Sequence, residues 1–186
     1  MTIKDFSKAD WDRLFPIQLI EHDINWRNLF QKEKENIIHA TAGQSILRIE
    51  HFGSSSIPDI KSKPYIDILI EVYKEHLFDP SLIQSLKRIG YTCLTEPNED
   101  PNNYMILCKG YHTDGTYDQV FHIHMCDSNH DMMKQLKFRD ILMGDPQKAR
   151  AYEQLKLKLA QEYTNDRSGY RLAKSDFIKK ILEKAE

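Results

Sequence analysis

Gly53, Ser54, Ser55 and Ser56 form a run of small residues, and Asp67 follows a short distance on, inside an apolar stretch. Gly53 has no Cβ, so the chain can turn sharply and approach a ligand closely there, while the three serines bring hydroxyls and backbone N–H groups to the same place. That chemistry suits a phosphate. Asp67 supplies an oxygen ligand for a hard cation such as Mg²⁺ or Mn²⁺ held against the same phosphate. Turn and acid together imply metal-assisted phosphate chemistry, with Asp67 and Lys63 as its catalytic residues.

His122 and His124 form a second constellation. Alternation along a strand points both to one face, about 6.6 Å apart between Cα atoms. That is close enough for two imidazoles to converge on one site. The other reading makes one imidazole a hydrogen-bonded core group and the other a phosphate donor. Lys63 either contacts phosphate or stands exposed before Pro64. Arg139 and Asp140 either clamp a phosphate through the guanidinium fork or pair internally. Lys156, Tyr170 and Lys174 either line the cleft or pack between helices, and His51 is placed to orient the turn. Trp11, Trp26, Phe30 and Phe138 read as core.

Ile46 to Phe52 and Tyr65 to Val72 are apolar, β-branched runs that read as strands on either side of the turn. Pro64 cannot donate to a ladder and belongs at the entry of the second strand, and Glu71 lies about 13 Å beyond Asp67, too far to share its ion. Trp26, Leu29, Phe30 and Ile37 share a helical face. Asp79-Pro80 opens a helix that Gly90 stops, and Asp145-Pro146 opens another over Gln147 to Tyr163. Residues 91–95, 103–109 and 117–126 read as further strands, and a last helix carries Phe177, Ile178, Ile181 and Leu182. The pattern is α/β (α+β) with a mixed sheet, in one domain over residues 1–186.

With 40% apolar and 29% charged residues, the chain has material for a sizeable core. Its three cysteines include no Cys-x-x-Cys pair, which argues against a disulfide framework and for a reducing, cytoplasmic setting. No apolar run reaches the roughly 18 residues of a membrane span. A net charge of −2 argues against general nucleic-acid binding, but residues 134–186 hold 13 Lys and Arg against 8 Asp and Glu. That basic third either faces a polyphosphate or forms the solvated side of charged helices. The expected partner is a nucleotide or other phosphorylated small molecule, bound by a monomer or small homo-oligomer.

The stretch His51-Phe-Gly-Ser-Ser-Ser-Ile-Pro58 with Lys63-Pro-Tyr-Ile-Asp67 resembles the signature of the GrpB family of uncharacterised proteins. Asp23 to Phe30, His122-Ile-His124, Phe138-Arg139-Asp140 and the spacing of Tyr152, Lys156, Tyr170 and Lys174 extend the likeness along most of the chain. The resemblance implies a nucleotidyltransferase-like fold, a Gly-Ser phosphate turn and a neighbouring strand supplying a further ligand, so that Asp67 with His122 or His124 would be a mixed oxygen and nitrogen set suiting Zn²⁺, Mn²⁺ or Fe²⁺ better than Mg²⁺. It also implies two functional alternatives. One is transfer of a nucleotidyl group to an acceptor; the other is a nucleotide or phosphometabolite module without turnover. Tyr65 stands where the superfamily has its first acid, which favours the second. Asp59 stands where the family usually has glycine, adding charge to the presumed phosphate turn, and Ser55 where it usually has threonine. Family members also resemble a domain found fused to dephospho-coenzyme A kinase, but no kinase P-loop occurs here.

Overall fold

A computed structural model describes residues 2–43, 45–98 and 102–184. Its centre is a five-stranded mixed sheet, in spatial order β1-β2-β5-β4-β3. The strands are β1 (Ile46–Phe52), β2 (Tyr65–Val72), β3 (Thr92–Cys93), β4 (Met105–Tyr111) and β5 (Tyr117–Cys126). β1 runs antiparallel to β2, β2 parallel to β5, and β4 antiparallel to both β5 and β3. This is the mixed α/β architecture that the alternation of patterns predicts.

Period-2 alternation divides β2 and β5 between two layers. Ile66, Ile68 and Ile70, with Ile123 and Met125, face α2 (Trp26–Thr41) and α3 (Pro80–Arg88), where Trp26, Phe30, Ile37, Leu82 and Leu86 complete the main core. The helix starts follow their sequence signals. Asp79 caps α3 through a 2.8 Å bond from the Ser81 N–H, with Pro80 as first helical residue. Gly90 takes φ +97° and turns the chain toward β3.

The opposite face of the sheet meets both ends of the chain. α1 (Lys8–Leu14) and Phe15 pack against Tyr65, Tyr111 and Val120. The helices α4 (Lys134–Gly144), α5 (Pro146–Glu162), α6 (Arg167–Ala173) and α7 (Ser175–Glu183) form a layer of their own. Phe138, Leu142, Ala149 and Tyr152 pack there around Ile57 and Ile60, the residues just after the serine turn. The turn is thereby fixed between the sheet and the C-terminal helices. Among the described residues, no helix is long and apolar enough to cross a membrane.

Candidate functional site

The Gly53 turn and the Asp67 carboxylate occupy the same space. Gly53 has φ +70° and ψ −177°, a region essentially reserved for glycine, and a Cβ built there would lie 2.3 Å from Asp67 Oδ2. Register explains the meeting, because Phe52 pairs with Asp67 across the β1–β2 ladder. Ser54–Ser56 then form one 3₁₀ turn, closed by a 2.7 Å bond from the Ser56 hydroxyl to the Gly53 carbonyl. The buried Ser55 hydroxyl lies 3.1 Å from His51 Nε2, so His51 does hold the turn. Burial, helped by Arg139 and His22 and opposed by Asp67, pushes the His51 imidazole down to about 4, so it is neutral at pH 7.

The histidine pair lies on the strand beside Asp67, with Asp67 opposite His122 and Leu69 opposite His124. His122 Nδ1 is 3.3 Å from Asp67 Oδ1, and its Nε2 is 2.9 Å from the Tyr111 hydroxyl. The neutral tautomer satisfying both donates from Nδ1 to Asp67 and accepts from Tyr111. Burial alone raises the Asp67 carboxyl, but the His122 bond and the nearby His124 and Lys63 outweigh it, and the net direction is downward. His124 is stacked on Tyr104 and edge-on to Phe52, and its Nδ1 is buried without a hydrogen-bond partner. Burial takes its imidazole down to about 4 against the pull of Asp67. Among the described residues, no three His, Cys, Asp or Glu side chains converge as a metal site. Asp67, His122 and His124 share a face, but the first two are bonded to each other. A resident Zn²⁺ on that trio does not fit this geometry.

Asp67, His122 and His124 border a cleft of about 640 Å³, whose other wall comes from the C-terminal helices. Ser54, Lys63, Lys156 and Lys174 of the residues singled out in the sequence line it, as does Gly53. Lys63 Nζ lies 5.9 Å from the Tyr65 ring centre and 5.0 Å from that of Tyr170, and Lys174 Nζ lies 4.5 Å from Tyr170. Burial, with Arg167 and Lys174 adding repulsion, pushes the Lys63 amine down to about 7. Lys156 is 1% exposed and donates to the Lys61 carbonyl; burial with Lys174 nearby brings it also to about 7.

Other expectations change. Arg139 is not in the cleft wall: its guanidinium binds the His51 carbonyl at 2.6 Å, Glu50 at 3.1 Å and Asp140 at 2.8 Å. It serves as a side-chain partner for the outer strand β1, directly before the turn. Ser55 and Ser56 turn their hydroxyls inward to build the loop. Asp59 is exposed at φ +60°, a left-handed conformation that suits glycine, and it does not line the cleft, so its charge is not added to the phosphate turn. Trp11 packs against the core cluster of Phe15 and Tyr111, and its half-buried ring also forms part of the cleft wall, with the Arg167 guanidinium 5.7 Å away. Arg167, Arg171 and Tyr104 also line the cleft and carry no spacing signal of their own. The excess of basic residues in the last third of the chain was the available pointer to the two arginines.

The fold and cleft thus define an α/β protein with an acid-and-histidine floor under a cationic helical wall. Residues 16–184 match the family model described as GrpB protein, and the chain belongs to the GrpB family. It is 33% identical over 166 residues to the glutamate-rich protein GrpB of Alkalihalophilus pseudofirmus, covering 88% of this chain and 92% of that one. A UPF0157 protein of Pseudomonas aeruginosa is 35% identical over 97% of this chain and 71% of its own length. UPF0157 protein YqkA of Bacillus subtilis is 31% identical over 91% of this chain, which spans only 47% of that relative. The crystal structure of conserved protein GrpB from Enterococcus faecalis superposes with a TM-score of 0.73 at 29% identity, covering 90% of this chain and 96% of that one.

Proposed function

We propose that the cleft binds a nucleotide or another phosphorylated small molecule, with its phosphates between the Gly53–Ser54 turn and the wall of Lys63, Arg167, Arg171 and Lys174. The observation that carries this reading is the convergence of a glycine-only turn and an excess of cations on one cavity, six Lys and Arg against Asp12 and Asp67 among its described lining. Fixed positive groups in a partly desolvated cleft stabilise an anion far more than they would in water. Tyr65, Tyr104, Tyr152 and Tyr170 supply flat apolar surfaces for the rest of the ligand.

Asp67 would hold a divalent cation, Mg²⁺ or Mn²⁺, if the ligand brings one. A single carboxylate with substrate phosphates suits Mg²⁺, which keeps several waters and rarely demands an all-protein cage. Such an ion would neutralise charge on the phosphate oxygens. This chain's own residues then orient: His122 holds Asp67, His51 holds the turn, and Lys63 and Lys174 face the phosphates. In the transferase reading, an acceptor attacks the α-phosphorus and leaves a nucleotidylated product. The second reading is a binding module without turnover. It is favoured by Tyr65, whose ring stands where a second acid would be needed for two-metal transfer.

Incubation with α-phosphate-labelled ATP, Mg²⁺ or Mn²⁺ and a cell extract as acceptor source tests the two. Label transfer by the wild type that Asp67→Asn abolishes, with an unchanged circular dichroism spectrum, establishes the transferase. Nucleotide binding by both proteins with no transfer by either establishes the module. Equal transfer by both removes Asp67 from the mechanism.

A further inference from the structure

Lys63 differs from every other lysine in the cleft. The chain leading into it is pinned: Lys61 donates its N–H to Glu153 at 2.6 Å and accepts from Lys156, Ser62 bridges to Ile20, and the Ser62 hydroxyl donates to the Lys63 carbonyl at 3.1 Å. Its amine is half-buried and meets no carboxylate within ion-pair distance among the described residues. Around it stand the rings of Tyr65 and Tyr170, with Lys174 on the second ring and the Arg167 guanidinium 5.9 Å from the first. Three cationic heads therefore share two tyrosine rings.

A lysine beside other cations in a poorly solvated pocket loses its proton easily, and an unprotonated amine is a nucleophile toward carbonyl carbon. Lys156 is desolvated to a similar degree, but it is fully enclosed and its amine is engaged with the Lys61 carbonyl. Lys63 alone combines a held backbone, an unpaired amine and an open cavity. The same cations that depress it also suit a phosphate group on the incoming molecule.

We propose that Lys63 is a carbonyl-reactive amine that forms an imine with a phosphorylated aldehyde or ketone bound in this cleft. The Lys63 nitrogen adds to the carbonyl carbon, forming the C–N bond, and the carbonyl oxygen leaves as water with the two hydrogens of the amine. Amine and carbonyl give imine and water, without oxidant or reductant. Burial and the neighbouring cations push the Lys63 amine down to about 7, so far more of it is unprotonated near neutrality than of an ordinary lysine. The inference rests on the reading of the cleft as a phosphate-ester site and narrows its ligand to one bearing a carbonyl.

Pyridoxal 5′-phosphate is the probe. The full chain and its Lys63→Arg variant are incubated with it, reduced with borohydride, digested and mapped by mass spectrometry, with pyridoxal in parallel and melting temperatures measured with inorganic pyrophosphate. The expected result is stoichiometric labelling of Lys63, about tenfold or more weaker with pyridoxal, since a charge-assisted phosphate contact is worth about 1.5–3 kcal/mol. Lys63→Arg keeps the cation and its melting temperature but takes up no stoichiometric label. Labelling spread over exposed lysines overturns the proposal. If pyrophosphate still raises the melting temperature in that case, the phosphate site stands and only the imine falls. Lys63 labelled equally by both aldehydes, with no pyrophosphate shift, overturns the phosphate-ester assignment and the reading beneath it.

Discussion

Along β2, Ile66, Ile68 and Ile70 are wholly buried beneath α2 and α3, while Tyr65 and Asp67, one residue out of phase, border a cleft rich in Lys and Arg. The two faces share a backbone and a hydrogen-bond ladder. They differ in what covers them: the first is sealed by helices close in sequence, the second by α1 and by helices from the far end of the chain. The sealed face is mostly apolar, and the polar groups within it are paired: Glu33 accepts from Tyr91 and Lys109, and His51 stacks on Phe30. The open face holds buried amines and the His124 imidazole, displaced from their ordinary titration, an arrangement that costs stability and is retained where a ligand compensates.

Truncating the sealed face gives the largest effect. Ile68→Ala removes a fully buried side chain and should cost about 2–5 kcal/mol in urea unfolding, while the folded fraction keeps its ligand affinity. A loss below about 1 kcal/mol would mean that the isoleucine row is not the centre of stability.

At the junction of the faces, Gly53→Ala puts a Cβ against Asp67 Oδ2 at a backbone angle alanine rarely adopts. It should cost about 1–3 kcal/mol and displace Asp67, weakening phosphate-ligand binding beyond its effect on folding. Titration calorimetry showing wild-type affinity would separate the turn from the site.

The open face should also leave its mark on the pH dependence of stability. Lys63 and Lys156 titrate near 7 when folded but near 10.5 when unfolded, so between those values the unfolded chain binds more protons and stability rises with pH. His124 on this face, and His51 on the sealed face against Phe30, titrate near 4 when folded and 6.5 when unfolded, so their contribution is lost as pH falls from about 6.5 to 4. Urea midpoints across pH 7 to 10 should climb in the wild type and climb less in Lys63→Gln. An identical slope in the two proteins would show that the amine is not suppressed.

Smaller still is the effect expected at Arg139. Arg139→Gln removes the ion pairs to Glu50 and Asp140 and weakens the hold on the His51 carbonyl, costing about 1 kcal/mol in thermal unfolding. A direct phosphate contact would instead appear as a loss of affinity at unchanged stability.

How much of this was legible in sequence follows the same division. β1 and β2 span the residues read as apolar runs, because their local pattern and their covering helices agree. The Asp79 and Asp145 caps act where proline and acid announced them. The third strand region contracts to Thr92–Cys93, since pairing with β4 and not composition sets its length. On the open face, alternation put His122 and His124 on one side of a strand and the family resemblance put that strand beside Asp67, but the bond between Asp67 and His122 is set by ladder register, to which composition is blind. Arg139 carried the residue type of a phosphate clamp, yet α4 crosses β1 so that a backbone carbonyl 88 residues away takes the guanidinium. Trp11 packs against the core as its apolar ring implies, and its second role in the cleft wall, beside Arg167, depends on the distant end of the chain.

The central claim is that the open face is a phosphate site, and the most direct measurement is the melting temperature with Mg²⁺ or Mn²⁺ and either ATP or adenosine. Ligand at about 100 times its dissociation constant adds roughly 2.7 kcal/mol, a shift of several degrees for a chain of this size. The account predicts that shift with ATP and little or none with adenosine. Equal shifts with both, or none with ATP, ADP and pyrophosphate alike, would contradict it.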